Sequence, residues 1–228
     1  MMIHLKNSKM IKLSLISSLT GMILLYAGAM QMRPKLTPIS QVNKDFVGLK
    51  AKISGKVIDI QKHSNEHIFL KVKDQSGGVI SIPLFKNLLS DLDKRIELLD
   101  RIQATGRIKK YQGDLELIPE KANDIQIVHT TPTELSKINN EKIGEKVKVR
   151  GFIKKKTQVG AGNLLLTICK KDESLKVFAP KNVTNYGNFS KIEEGKTIQV
   201  AGTVQIYENE LELKISDSYN IKIVGAST

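Results

Sequence analysis

The sequence has little sulfur and few aromatic rings. One cysteine, Cys169, stands in 228 residues, which excludes an intrachain disulfide and a cysteine-cluster metal site. That single thiol does not fix the redox compartment. Tryptophan is absent and aromatic residues make up 5% of the chain, so any core must rest on Ile, Leu and Val. Histidines are His4, His63, His67 and His129, and only His63 and His67 lie close together. Their spacing of four is a metal-ligand spacing on a helix, but the region reads as loop and strand, and no other His or Cys completes a site. There is no G-x-S-x-G, no H-E-x-x-H and no phosphate-cradling glycine loop before a helix. Gly160-Ala161-Gly162 falls between strand-like runs and reads as a tight loop. These absences point away from catalysis, and no cofactor or metal is expected.

Negative charge is also in short supply. Thirty-six Lys and Arg face 23 Asp and Glu, a formal net charge of +13. The first 36 residues hold five basic and no acidic residues; the other 31 basic and 23 acidic residues leave +8 on the remainder. A moderately basic body suits a polyanion or an anionic membrane surface, and lysine-rich solvation alone gives the same balance.

Between Lys12 and Arg33 runs one long uncharged stretch, Leu13 to Met32, of 20 residues. As a helix it would reach ~30 Å, about one hydrocarbon thickness. Two readings stand. One is an uncleaved single-pass anchor through residues 13–32. The other is a signal peptide with Lys6, Lys9 and Lys12 as its basic end and cleavage near Ala29, after Ala27-Gly28-Ala29. Length favours the anchor. Three lysines precede the stretch and Arg33 and Lys35 follow it, so the positive-inside rule leans towards domains on the exported side.

The rest of the chain is written twice. VGLKAKISGKV (Val47–Val57) is answered by IGEKVKVRGFI (Ile143–Ile153), 96 positions on, and IQATGRIKKYQGDLEL (Ile102–Leu117) by IQVAGTVQIYENELEL (Ile198–Leu213) at the same offset. A period this long belongs to globular modules rather than to a solenoid. The expected organisation is therefore a tail and membrane segment at 1–36, a first domain at 37–132 and a second at 133–228.

Within each copy five strand-like runs appear. In the first, Leu49, Ala51, Ile53, Gly55 and Val57 alternate with Lys50, Lys52, Ser54 and Lys56. A second run places Ile68, Leu70 and Val72 inward and Phe69, Lys71 and Lys73 outward. The third is Val79–Phe85. Leu88, Leu89, Leu92, Ile96 and Leu99 follow at roughly helical spacing. A fourth run, Ile102–Lys110, and a fifth, Leu115–Val128, form a hairpin whose tip carries Gly113, answered by Asn209. Both residue types tolerate the positive φ of a tight turn. Upstream, Thr37 before Pro38 reads as a helix cap with Pro at the first helical position.

Each copy thus reads β-β-β-α-β-β, the order of the five-stranded Greek-key barrel known as the OB-fold. Gly55 and Gly151, inside first strands, fit the sharp bend of such a barrel. G-R-I-x-x-Y-x-G-x-L-E-L (Gly106–Leu117) resembles the anticodon-binding and helicase-associated class of OB-fold nucleic-acid-binding domains. The expected fold is mainly β: two tandem five-stranded barrels behind a transmembrane or signal helix.

The resemblance implies binding on the outer face of strands two and three, flanked by the loops after strands one and four. In the first copy that face offers Phe69, Lys71 and Lys73, and the fourth strand and its loop offer Arg107, Lys109, Lys110 and Tyr111. Rings for bases among ammonium groups for phosphates are what single-stranded DNA or RNA needs. Alternatively, the rings cover a barrel end and the lysines solvate an antiparallel face. The second copy differs. Its second-strand face is Leu165, Thr167 and Cys169, and Glu208, Glu210 and Glu212 on its hairpin would repel phosphate. Its bases gather on the first strand and its loop: Lys146, Lys148, Arg150, Lys154, Lys155 and Lys156. The Lys154–Lys156 triplet reads as a backbone clamp, a contact for an acidic hairpin, or a solvated loop. Leu165 points to a protein partner for this copy.

Two other functions compete with a membrane-tethered, noncatalytic binder of single strands. One is a cell-surface module that recognises proteins or glycans. The other is an accessory subunit of an exported nuclease.

Overall fold

The computed structural model describes residues 2–31, 34–63, 65–185 and 189–225. They fall into two compact units, Met1–Lys35 and Leu36–Thr228. The first unit is a single helix, α1 (Met2–Gln31). Its stretch Ser8–Gly28, 21 residues of mean hydropathy 1.6, is long and apolar enough to cross a membrane. Leu13, Ile16, Leu19, Ile23 and Leu25 are all exposed. The helix begins well before the expected span. Met32, which ends that span, and Arg33, which follows it, lie outside the described residues, as does the side chain of Ala29.

The second unit holds two sheets. The first comprises β1 (Lys50–Lys62), β2 (Ile68–Lys73), β3 (Val79–Leu84), β4 (Arg101–Tyr111), β5 (Asp114–Ile118) and β6 (Ile125–Val128). Their order is β1-β2-β3-β5-β4-β6, and β1 also pairs with β4, so five strands close into a barrel and β6 lies outside the ring. The second sheet comprises β7 (Lys146–Val159), β8 (Asn163–Lys170), β9 (Glu173–Ala179), β10 (Thr197–Tyr207), β11 (Glu210–Lys214) and β12 (Ile221–Ile223). It closes the same way, through β7–β10 and β10–β11. The register repeats too. Ile53 faces Ala104 and Gly55 faces Ile102, while 96 positions on Val149 faces Val200 and Gly151 faces Ile198.

Local chemistry explains the joints. Asn43 and Asn139 accept from Asp45 N–H and Glu141 N–H and cap short 3-10 turns that lead into β1 and β7. A Cβ on Gly55 would stand 2.7 Å from the Lys73 carbonyl, so only glycine lets β1 cross β2 this closely. Both hairpin tips are two-residue loops with positive φ at both positions, 49° and 100° at Gln112 and Gly113, and 49° and 64° at Glu208 and Asn209.

Several expectations are corrected. The fifth run is two strands in each sheet. After Ile118 comes Pro119, which has no N–H for the ladder, and the chain makes a 3-10 turn at Ala122–Asp124 before β6. The helix after β3 is only Lys86–Ser90 (α2). Ile96, Leu98 and Leu99 are buried as irregular chain, because Leu99 N–H and the Asp100 carbonyl bond Val57 across β1. Pro38 precedes, rather than begins, a 3-10 turn at Ile39–Gln41 and itself occupies the N-cap position expected for Thr37. Leu49 is exposed.

The cores are aliphatic. One gathers Ile53, Leu70, Ile82 and Ile108 of the first barrel, and the other Val149, Leu166, Val177 and Val200 of the second. Ala201 of β10 belongs to the first cluster, so the barrels share packing.

Candidate nucleic-acid interface

Strict alternation on β2 decides what the first barrel shows outward. Ile68, Leu70 and Val72 are buried, whereas Phe69, Lys71 and Lys73 are exposed, as the sequence predicts. The Phe69 ring meets His63 edge-on at 6.3 Å. Across the sheet Phe69 lies between Gln61 and Pro83, Lys71 between Asp59 and Ser81, and Lys73 between Lys56 and Val79.

Lys56 in turn faces Arg101 on β4. Lys73, Lys56 and Arg101 therefore form one outward row across three strands. Residues directly opposite have Cβ atoms about 5 Å apart, and like charges there disfavour the sheet. No carboxylate pairs with any of the three among the described residues. The row borders a groove of about 600 Å³ whose other walls include Thr37, Pro38, Ser54 and Ser76. Asp74 also lines it. Burial would raise its pKa, but bonds from the Ser76 hydroxyl and from backbone N–H groups, Ile39 N–H at 2.7 Å among them, outweigh this and hold it below the usual range. Sequence reasoning missed Lys56 and Arg101 as site residues. The alternation on β1 shows that Lys56 points outward; the pairing that joins it to Arg101 and Lys73 is long-range.

The second expected group lies elsewhere on the barrel. On one side β1 stands between β4 and β2, and on the other β3 and β5 do. Arg107 is engaged: Nη1 donates to the Gly48 carbonyl at 2.6 Å and Nη2 is 3.5 Å from Glu120. Lys50, 2.7 Å from Glu120, does most to hold that carboxyl below its ordinary range. Lys109, Lys110 and Tyr111 are exposed. Lys109 faces Glu116, whose pKa is raised by burial and by Asp114.

The second barrel departs further from expectation. Lys154–Lys156 belong to β7 itself, around a register shift between Ile153 and Lys155, and not to a loop. Lys154 and Lys155 are exposed. The Lys156 ammonium donates to the carbonyls of Phe189 at 3.0 Å and Ile192 at 2.7 Å, so this triplet does not act as one free cluster. Arg150 donates to the Gly225 carbonyl at 3.0 Å. Cys169, expected outward, is buried, and Leu165 and Thr167 are half-buried. Glu212 is buried and accepts from Gln205, and Glu210 pairs with Lys176.

Lys148 differs most from its sequence reading. It is 2% exposed and lies between the barrels, with Nζ 2.8 Å from Glu97 and 2.7 Å from Asp100. Glu97 also receives Lys222 and Gln199, and Asp100 bonds the His129 ring at 2.8 Å. Glu97, Asp100 and His129 have ligand atoms close enough to share a cation. The two carboxylates hold the Lys148 ammonium instead, and the His129 ring bonds only Asp100 of this group. The His63 ring packs edge-on against Phe69 and the His67 ring against Phe85.

Residues 51–127 match the family described as OB-fold nucleic acid binding domain, tRNA_anti-codon. The exodeoxyribonuclease 7 large subunit of Clostridium perfringens strain SM101 is 27% identical over 169 residues, covering 68% of this chain and 42% of that protein. The chain thus spans less than half the length of that relative. Among solved structures, tetrameric p202 HIN2 superposes with a TM-score of 0.45 at 13% identity, over 77% of this chain and 94% of that one. Asparaginyl-tRNA synthetase from Pyrococcus horikoshii does so with a TM-score of 0.36 at 18% identity, over 42% and 24%. The family match runs from β1 into β6, so the barrel that carries Phe69 and the cationic row is the part of the chain similar to OB-fold nucleic acid binding domains.

Proposed function

We propose that this protein binds single-stranded nucleic acid on the outer wall of its first barrel, without cleaving it, and is held at a membrane by α1. The observation that carries the reading is the row Lys73–Lys56–Arg101, without a carboxylate partner among the described residues, on the same outer wall as the exposed Phe69. Three cations side by side disfavour the sheet and favour a chain of phosphates, and an exposed ring at the end of the same strand supplies a platform for a base. The family match supports it, and so does the relative named as a subunit of a deoxyribonuclease. We read residues 37–132 and 133–228 as two copies of one domain. The first binds; the second, with Lys148 and Lys156 engaged internally, braces it.

The test is fluorescence anisotropy with single-stranded oligonucleotides on the full chain in detergent. Wild-type protein binds, and K56E/R101E loses most of the affinity. Equal binding by the variant refutes the assignment of the face. Cleavage of the oligonucleotide in the presence of magnesium refutes the noncatalytic reading. Protease accessibility on intact cells tests the exported placement, and mass measurement of the mature protein distinguishes an anchor from a leader cleaved near Ala29.

A further inference from the structure

A cleft of about 460 Å³ opens where the two barrels meet. The first barrel lines it with Lys62, at the end of β1, and Arg95; the second contributes Lys191, Lys222 and an apolar floor that includes Phe189 and Ile223. No carboxylate lines it. Lys222 is neutralised by Glu97 behind it. Lys62, Arg95 and Lys191 make no salt bridge among the described residues, although the Lys62 charge helps to lower the pKa of Glu66. Asp217, nearby, receives Lys62 N–H at 3.1 Å and Tyr219 N–H at 2.7 Å.

Arg95 is held in place by neutral groups. Its guanidinium lies 3.8 Å over the Tyr219 ring and donates to the Tyr219 carbonyl. Burial raises the Tyr219 hydroxyl above its ordinary pKa despite Arg95, so the ring stays uncharged. A planar cation fixed this way suits bidentate binding of a phosphate. The buried Lys148 pair joins the two walls. The cleft also adjoins the first face: Lys62 precedes His63, whose ring meets Phe69.

We propose that this cleft is a second contact for the same single strand, with phosphates on Lys62, Arg95 and Lys191 and a base against the apolar floor. The inference rests on the first-barrel reading, and the two can fail separately. The test uses the full chain in detergent with K62E/K191E, which alters two exposed side chains, and K62Q/K191Q as a milder pair; circular dichroism checks the fold. Two oligothymidylates serve as probes, one long enough for both sites and one that covers only the first face. For the long probe K62E/K191E should lose about 10-fold or more in affinity, and the log–log salt slope should shrink by about 1.4, the contribution of two single-strand phosphates. Binding of the short probe should not change. Wild-type binding that neither variant alters for the long probe overturns the cleft alone. Wild-type protein that binds neither probe overturns the first-barrel reading and the cleft with it.

Discussion

Lys148 of the second barrel places its ammonium 2.7 Å from Oδ1 of Asp100 in the first, and both side chains are almost wholly buried. With Glu97 at 2.8 Å, the ammonium sits between two carboxylates supplied by the other barrel. Breaking a buried pair leaves charges with no partner and costs about 3–5 kcal/mol. Lys148→Met should therefore lower the urea midpoint sharply. Adding Glu97→Gln and Asp100→Asn should restore part of the loss, because fewer unpaired charges then remain.

Acid should loosen the same junction. Burial alone would raise the Glu97 pKa, but hydrogen bonds and charge from Lys148 and Lys222 lower it to about 2. A carboxylate depressed in the folded state stabilises fully above its unfolded value, near 4.3, and that stability fades as pH falls towards 2. The shift corresponds to roughly 3 kcal/mol. Urea midpoints measured from about pH 6 down to about pH 3 should fall for wild type. They should fall less for Glu97→Gln, which starts from a lower value.

Two strand glycines should rank by the space behind them. A Cβ at Gly55 meets the Lys73 carbonyl at 2.7 Å, and one at Gly151 meets the Cys169 carbonyl at 2.9 Å. Overpacking of this sort costs on the order of 1–3 kcal/mol. Gly55→Ala should be the more destabilising in thermal melts. It should also weaken oligonucleotide binding, since it displaces β1 from Lys73.

Phe69 and Arg101 should separate by salt dependence. Phe69→Ala removes a stacking surface worth about 1–3 kcal/mol and should leave the salt slope unchanged. Arg101→Gln removes one phosphate contact and should reduce the slope by about 0.7. Arg107→Gln should act mainly on stability, because its guanidinium already holds the Gly48 carbonyl.

What could be read from the sequence was whatever is local or repeated. The period of two placed Phe69, Lys71 and Lys73 outward, the hairpin tips at Gly113 and Asn209 were visible from residue type, and the 96-residue offset anticipated the shared register of β1–β4 and β7–β10. Long-range pairing was not legible. The rule that sends Lys52 and Lys148 outward on a lone strand fails for Lys148, where a second barrel covers the outer face and supplies carboxylates. Lys156 likewise finds two carbonyls from a segment over 30 residues away. The Lys73–Lys56–Arg101 row needs β2, β1 and β4 side by side, and the apolar spacing of Leu88 to Leu99 gave way to backbone bonds with Val57.

The most direct test is the binding constant of a single-stranded oligothymidylate measured from about 50 mM to about 200 mM salt. Three phosphates on Lys73, Lys56 and Arg101 give a log–log slope of about −2, steeper if the cleft also contributes. Tight binding at low salt that weakens along that line is the predicted result. Absence of binding at about 50 mM salt, where phosphate contacts are strongest, or binding indifferent to salt, would contradict the account.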